Sequence, residues 1–148
     1  MSNLWSWPEI SQALLDQALQ GPDVQRVTFD SRQIEPGDLF FALAGDPGQR
    51  FNPSQRSTVD GHDYLLDAQA NGAVGAVVQS RVAECTLPQI VVADTYDALW
   101  QLGKAARQRL AEPVVAVTGS SGKTTAKRFL TDALDAYAPP GSFNNHIG

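Results

Sequence analysis

The apolar positions of the chain change period several times, and each change marks an element. Ser6, Pro8 and Glu9 open a helix, with Ser6 as cap and Glu9 three residues on, the spacing of a capping box. Ile10, Leu14, Leu15 and Ala18 then fall on one helical face, and Gly21-Pro22 is expected to stop it. Val24 to Phe29 and Leu39 to Leu43 read as strands, separated by a turn at Glu35-Pro36-Gly37-Asp38. The polar stretch Asp46 to Val59, rich in Pro, Gly, Gln, Ser and Arg, reads as a surface loop. Gly61 to Asn71 predicts a helix ended by Gly72.

Ala73 to Val78 and Gln89 to Val92 are short, wholly apolar runs, as strands covered on both faces are. Asp94 is placed to cap a helix running to about Leu110, with Ala98, Leu99, Leu102, Ala105, Ala106 and Arg109 in helical register. Glu112-Pro113 breaks it, Val114 to Thr118 predicts another strand, and Lys123 to about Tyr137 another helix before Ala138-Pro139-Pro140-Gly141. Strands alternating with helices predict an α/β fold, with a domain boundary near Ala111.

Composition narrows the class of molecule. At 148 residues, with 43% apolar and 18% charged residues, the chain is globular in character. A net charge of −5 gives no pull toward nucleic acid or an anionic membrane. Cys85 is the only cysteine, so no internal disulfide forms, which fits a reducing, cytoplasmic setting. The opening MSNLWSWPEI lacks a basic start and apolar core, so it does not read as a signal peptide. No apolar run approaches the ~20 residues that cross a bilayer, so no membrane insertion is expected.

Chemistry enters at Gly119-Ser120-Ser121-Gly122-Lys123-Thr124-Thr125, between the predicted strand and helix. Glycines let successive backbone N–H groups turn inward onto phosphate oxygens, and the helix adds its positive N-terminal end. Lys123 is placed to reach the β and γ phosphates of ATP, and the Thr124 hydroxyl to ligate Mg²⁺. The broad phosphate-loop pattern requires glycine at the position of Val117, so the loop here is the shorter G-x-x-G-K-T. The bland alternative is a glycine-rich β–α turn that binds nothing.

Four blocks in this order resemble the Mur ligase family. These are Thr28-Phe29-Asp30-Ser31-Arg32, then Pro36 to Leu43 with Gly45, then Asp60-Gly61-His62-Asp63-Tyr64, and then Ala73 to Val78; the TGSSGKTT loop beyond them resembles the short form of Mur ligases and folylpolyglutamate synthetases. The tail Phe143-Asn144-Asn145-His146-Ile147-Gly148 is similar to a stretch of the branch that adds D-alanyl-D-alanine, where the branch adding the third peptide residue is threonine-rich.

The resemblance implies residues 1–111 as a UDP-sugar-binding N-terminal domain and residues 112–148 as the start of a central ATP-binding domain. It implies an ATP- and Mg²⁺-dependent ligase joining D-alanyl-D-alanine to UDP-N-acetylmuramoyl-tripeptide through an acyl phosphate. The ligase would be cytoplasmic, monomeric when full length and active in peptidoglycan synthesis. It further implies that this chain is the front part only, inactive alone. Alternatives are a non-catalytic uridine-nucleotide-binding module and the sister ligase that adds the third residue.

On the resemblance, Ser31 and Arg32 contact the uridine diphosphate end of the substrate, and Asn144 and Asn145 lie beside the phosphate loop. Read from the residues alone, Asp30-Ser31-Arg32 is a turn with side chains bonding nearby N–H groups. His62 reads more readily as a loop or helix-start contact than as a base. Trp5, Trp7 and Trp100 read as core or interface residues rather than cofactor platforms.

Overall fold

The computed structural model describes residues 3–46 and 59–139. It divides into two compact units, residues 1–107 and 108–148. The first is an α/β unit built on four parallel strands in the order β1-β2-β3-β4. They are β1 (Arg26–Thr28), β2 (Asp38–Phe41), β3 (Gly75–Val78) and β4 (Gln89–Val91). Around them lie α1 (Trp7–Leu15), α2 (Leu65–Ala70) and α3 (Thr95–Arg109).

The strands sort their side chains onto two faces. Leu39, Phe41, Val77 and Ile90 join Trp5, Trp7, Ile10, Ala98 and Leu102 in one core, beneath α1 and α3. Phe40, Ala76 and Val78 join Leu65, Ala68, Ala73 and Cys85 in the other, beneath α2. Every residue of β2 and β3 is buried, which is why these strands read as unbroken apolar runs. Asp38 is the one charged residue among them. Arg26, its cross-strand neighbour, grips it with Nε at 2.9 Å and Nη2 at 2.7 Å, and the Glu35 N–H donates to it at 2.8 Å. A buried carboxylate is tolerated only with its lone pairs filled in this way.

Elements are shorter than their apolar patterns suggest. The α1 capping box forms as expected, but the helix closes at Asp16 in the left-handed conformation (φ 55°), well before Gly21. The expected helix from Gly61 begins as a 3₁₀ turn over Gly61–Tyr64 and becomes α2 only at Leu65. Trp100 is 43% exposed on α3, so it is not a core residue.

The second unit contains α4 (Lys123–Leu134). Val114 to Thr118 does not form the expected strand. A strand is held by its ladder, and no described residues pair with this segment. The expected surface loop lies outside the described residues from 47 to 58.

Candidate functional site

Two regions gather the residues singled out by sequence, one in each unit. The first is the turn after β1. Asp30 caps a 3₁₀ turn over Ser31–Gln33 by accepting from the Arg32 N–H at 3.1 Å. The same carboxylate takes the Arg32 guanidinium through Nε at 2.8 Å and Nη2 at 2.9 Å. The Arg32 hydrogen bond holds the Asp30 carboxyl below its ordinary pKa. The turn reading of Asp30-Ser31-Arg32 is therefore realised. Yet the Arg32 side chain remains 86% exposed, with its Nη1 edge turned to no acceptor among the described residues.

Ser31 and Arg32 also line a shallow depression of about 230 Å³, whose other wall is Tyr64, Asp67, Ala70 and Asn71. The wall residues recur at three- and four-residue spacing along α2, which packs beside the turn. Sequence reasoning did not single out Asp67, Ala70 or Asn71. Polar residues at that spacing on a short helix look like an ordinary solvent face, and only the neighbouring turn makes them a wall.

His62 is brought close to this region but is fully engaged. Its Nδ1 lies 2.6 Å from Asp60 Oδ1, and the Gln79 backbone N–H donates to Nε2 at 2.9 Å. A backbone donor at Nε2 makes Nδ1 the protonated nitrogen, so the ring ties the end of β3 to the Asp60–Tyr64 turn and has no free lone pair for base catalysis. Burial pushes the Asp60 carboxyl up, but hydrogen bonds from the His62 N–H and ring outweigh it and leave its pKa lowered. The Tyr96 hydroxyl is pushed up by burial and then by Asp94, Asp46 and Asp60. Asp46, Asp60 and Asp94 thus set acidic charge around Tyr96 in the first turn of α3. An anionic ligand is better received at the β1 end, beside Arg32.

The second region is the loop before α4. Gly119 (φ +149°) and Gly122 (φ +75°) both adopt backbone conformations that side chains rarely take. Gly122 is the N-cap of α4 and supplies no side-chain acceptor, so the first N–H groups of the helix are open. Lys123 Nζ donates to the Gly119 carbonyl at 2.5 Å, folding the side chain back over the loop. The Thr124 hydroxyl is exposed in the first turn of α4. These groups fit a polyphosphate: open N–H donors, one ammonium and a free hydroxyl. For a Mg²⁺ ion the described residues supply Thr124 alone, since no cluster of three acidic, His or Cys side chains is present among them. Asn144 and Asn145 lie outside the described residues.

Among the described residues, no helix is long and apolar enough to cross a membrane. No family model matches the chain. Individual proteins do. The UDP-N-acetylmuramoyl-tripeptide–D-alanyl-D-alanine ligase of Escherichia coli (strain K12) is 40% identical over 141 residues, covering 91% of this chain and 28% of that protein. A crystal structure of MurF from Acinetobacter baumannii superposes with a TM-score of 0.72 at 37% identity, over 91% of this chain and 28% of that one. MurF ligase from Thermotoga maritima, solved in complex with ADP, matches at a TM-score of 0.55 and 32% identity, over 74% of this chain and 23% of that one. Ligases named for adding 2,6-diaminopimelate are weaker matches. The chain therefore spans about 28% of the length of the relatives it matches. Identities of 31–40% to ligases named for D-alanyl-D-alanine addition, on a shared α/β fold, place this chain in the Mur ligase family over the residues it spans.

Proposed function

We propose that this chain supplies the nucleotide-handling part of an ATP-dependent ligase that joins D-alanyl-D-alanine to UDP-N-acetylmuramoyl-tripeptide. Residues 1–111 form the UDP-sugar-binding domain, with Ser31 and Arg32 contacting the diphosphate. Residues 112–148 begin the ATP-binding domain, with Gly119 to Thr125 binding the phosphates and Asn144 and Asn145 assigned to substrate binding by the family resemblance. Mg²⁺ would be held at Thr124 and would neutralise phosphoryl charge. The assignment to a cytoplasmic, monomeric enzyme belongs to the same reading.

The observation that carries the proposal is the Gly119–Lys123 loop, whose two positive-φ glycines open onto a helix N-terminus without a side-chain cap, with a lysine folded across it. The chemistry follows from charge. A carboxylate is a poor acyl donor, so the tripeptide carboxylate attacks the γ-phosphorus of ATP, giving an acyl phosphate and ADP. The D-alanyl-D-alanine amine then attacks the acyl carbon, and inorganic phosphate leaves. Lys123 exchanges its bond to the Gly119 carbonyl for phosphate oxygens and offsets the charge that develops there.

Two measurements test this. In the full-length ligase containing this sequence, Lys123→Ala should lower ATP turnover by about 3 kcal/mol of transition-state stabilisation or more. Near-normal phosphate release would remove this loop from the reaction. Titration calorimetry of the 148-residue chain with UDP-N-acetylmuramoyl-tripeptide should show binding that Ser31→Ala with Arg32→Ala weakens. Unchanged affinity would move the substrate elsewhere.

A further inference from the structure

The α2 wall of the depression holds three polar side chains that no described residue satisfies. Tyr64, Asp67 and Asn71 line the cleft, and none of them donates or accepts a side-chain hydrogen bond among the described residues. Asp67 stands in the first turn of α2, where its charge favours the helix N-terminus, and it makes no side-chain cap. Its exposed carboxylate therefore remains open to hydrogen-bond donors of a ligand.

The cleft holds about 230 Å³, less than the ~300–1,000 Å³ that encloses a whole small-molecule ligand, so it takes one part of a larger one. Charge decides which part. A diphosphate is repelled by the Asp67 carboxylate and drawn to the open edge of the Arg32 guanidinium on the opposite wall. The group against α2 must be uncharged and able to donate hydrogen bonds. On a nucleoside diphosphate that is the ribose, whose vicinal hydroxyls present two donors at the spacing of one carboxylate's oxygens.

We propose that Asp67 is a specificity-determining residue that accepts hydrogen bonds from the ribose 2′- and 3′-hydroxyls of the uridine nucleotide, while Arg32 across the cleft faces its diphosphate. This rests on the reading that the first unit binds a uridine nucleotide at Ser31 and Arg32. Asp67 therefore selects ribonucleotides over their deoxy counterparts, and Tyr64 and Asn71 flank the sugar.

The test is calorimetric binding of UDP and of 2′,3′-dideoxyuridine diphosphate to the 148-residue chain and its variants. Hydrogen bonds to a charged acceptor predict that the unmodified chain prefers UDP by roughly ten-fold or more. Asp67→Ala should bring that ratio close to one, and Asp67→Asn should leave a reduced preference. Asp63→Ala, an exposed acidic neighbour outside the cleft, should keep the full ratio. Removing a negative charge strengthens binding of both diphosphates, so the ratio is the readout and the absolute affinity is not. If UDP binds, weakens with Arg32→Ala, and keeps its full preference in Asp67→Ala and Asp67→Asn, the role of Asp67 is overturned and the nucleotide site stands. An unmodified chain that binds both compounds equally overturns that role as well. If neither compound binds, the site reading and the Asp67 proposal fall together.

Discussion

Trp7 shows how a single residue sets requirements on distant ones. Its ring is buried against Gly21 and Gly75, and a methyl group added at either glycine would overlap it. Gly75→Ala should therefore cost about 1–3 kcal/mol of stability. In a Trp7→Leu background the same change should cost much less, because the overlapping ring is gone. Equal costs in a denaturant double-mutant cycle would show that the ring is not the obstacle. Gly61 answers to a different neighbour: its Cβ would sit 2.7 Å from the Leu43 nitrogen, and backbone cannot yield as a side chain can. The sequence shows Asp60-Gly61-His62 as a motif but not this steric reason, which exists only once Leu43 lies beside it. The motif's acid also has a pH signature. Because the folded pKa of Asp60 is lowered, its contribution is fully present above its ordinary value of 3.8 and is lost as pH falls through the lower folded value. Stability should thus drop more steeply in wild type than in Asp60→Asn below about pH 4, measured by denaturant midpoints across that range. Parallel slopes would mean that Asp60 is equally protonated in both states.

At the scale of elements, what can be read from sequence depends on whether the governing interaction is local. The start of α1 is legible because a capping box lies within four residues: the Ser6 N–H donates to Glu9 Oε2 at 2.8 Å, and the Ser6 hydroxyl accepts from the Glu9 N–H. Ser6→Ala should cost about 1 kcal/mol, seen as a shifted denaturation midpoint with an unchanged slope. No shift would mean that water replaces the cap. The end of α1 is not legible, because Asp16 takes a left-handed conformation that sequence does not mark. The buried strands β2 and β3 are visible as apolar runs, while β1 at the sheet edge is shorter than its pattern. The candidate site divides in the same way. The phosphate loop is a contiguous motif and can be found directly. The depression is made of two segments more than thirty residues apart in number, Ser31 and Tyr64 onward, and only the turn that seats α2 beside Ser31 joins them.

The whole molecule has two units of unequal self-sufficiency. The first covers both faces of its sheet, and the side chains of β2 and β3 are fully enclosed. In the second, α4 has no buried residue, Phe129 is 71% exposed, and Val114 and Val115 are 57% and 60% exposed in a segment with no ladder among the described residues. Apolar burial is the main source of stability, and amides without enclosed hydrogen bonds exchange through small local openings. Hydrogen exchange on the 148-residue chain should therefore show strong protection across β2, β3 and the Ala98–Leu102 turn of α3. Protection should fall away from about Pro113 onward. A purified chain of these residues should also show no ATP-dependent ligation, since the groups that would complete the phosphate loop's chemistry, acidic Mg²⁺ ligands above all, are missing from the described residues. The exposed valines make a further outcome measurable: an unpaired apolar segment offers its edge to another chain, so light scattering should rise with concentration and fall in Val115→Lys. Uniform protection through α4 together with measurable ligation by the 148-residue chain would overturn this division. It would mean that the second unit gains, in solution, a packing for Val114, Val115 and Phe129 that the structure of the isolated chain does not contain.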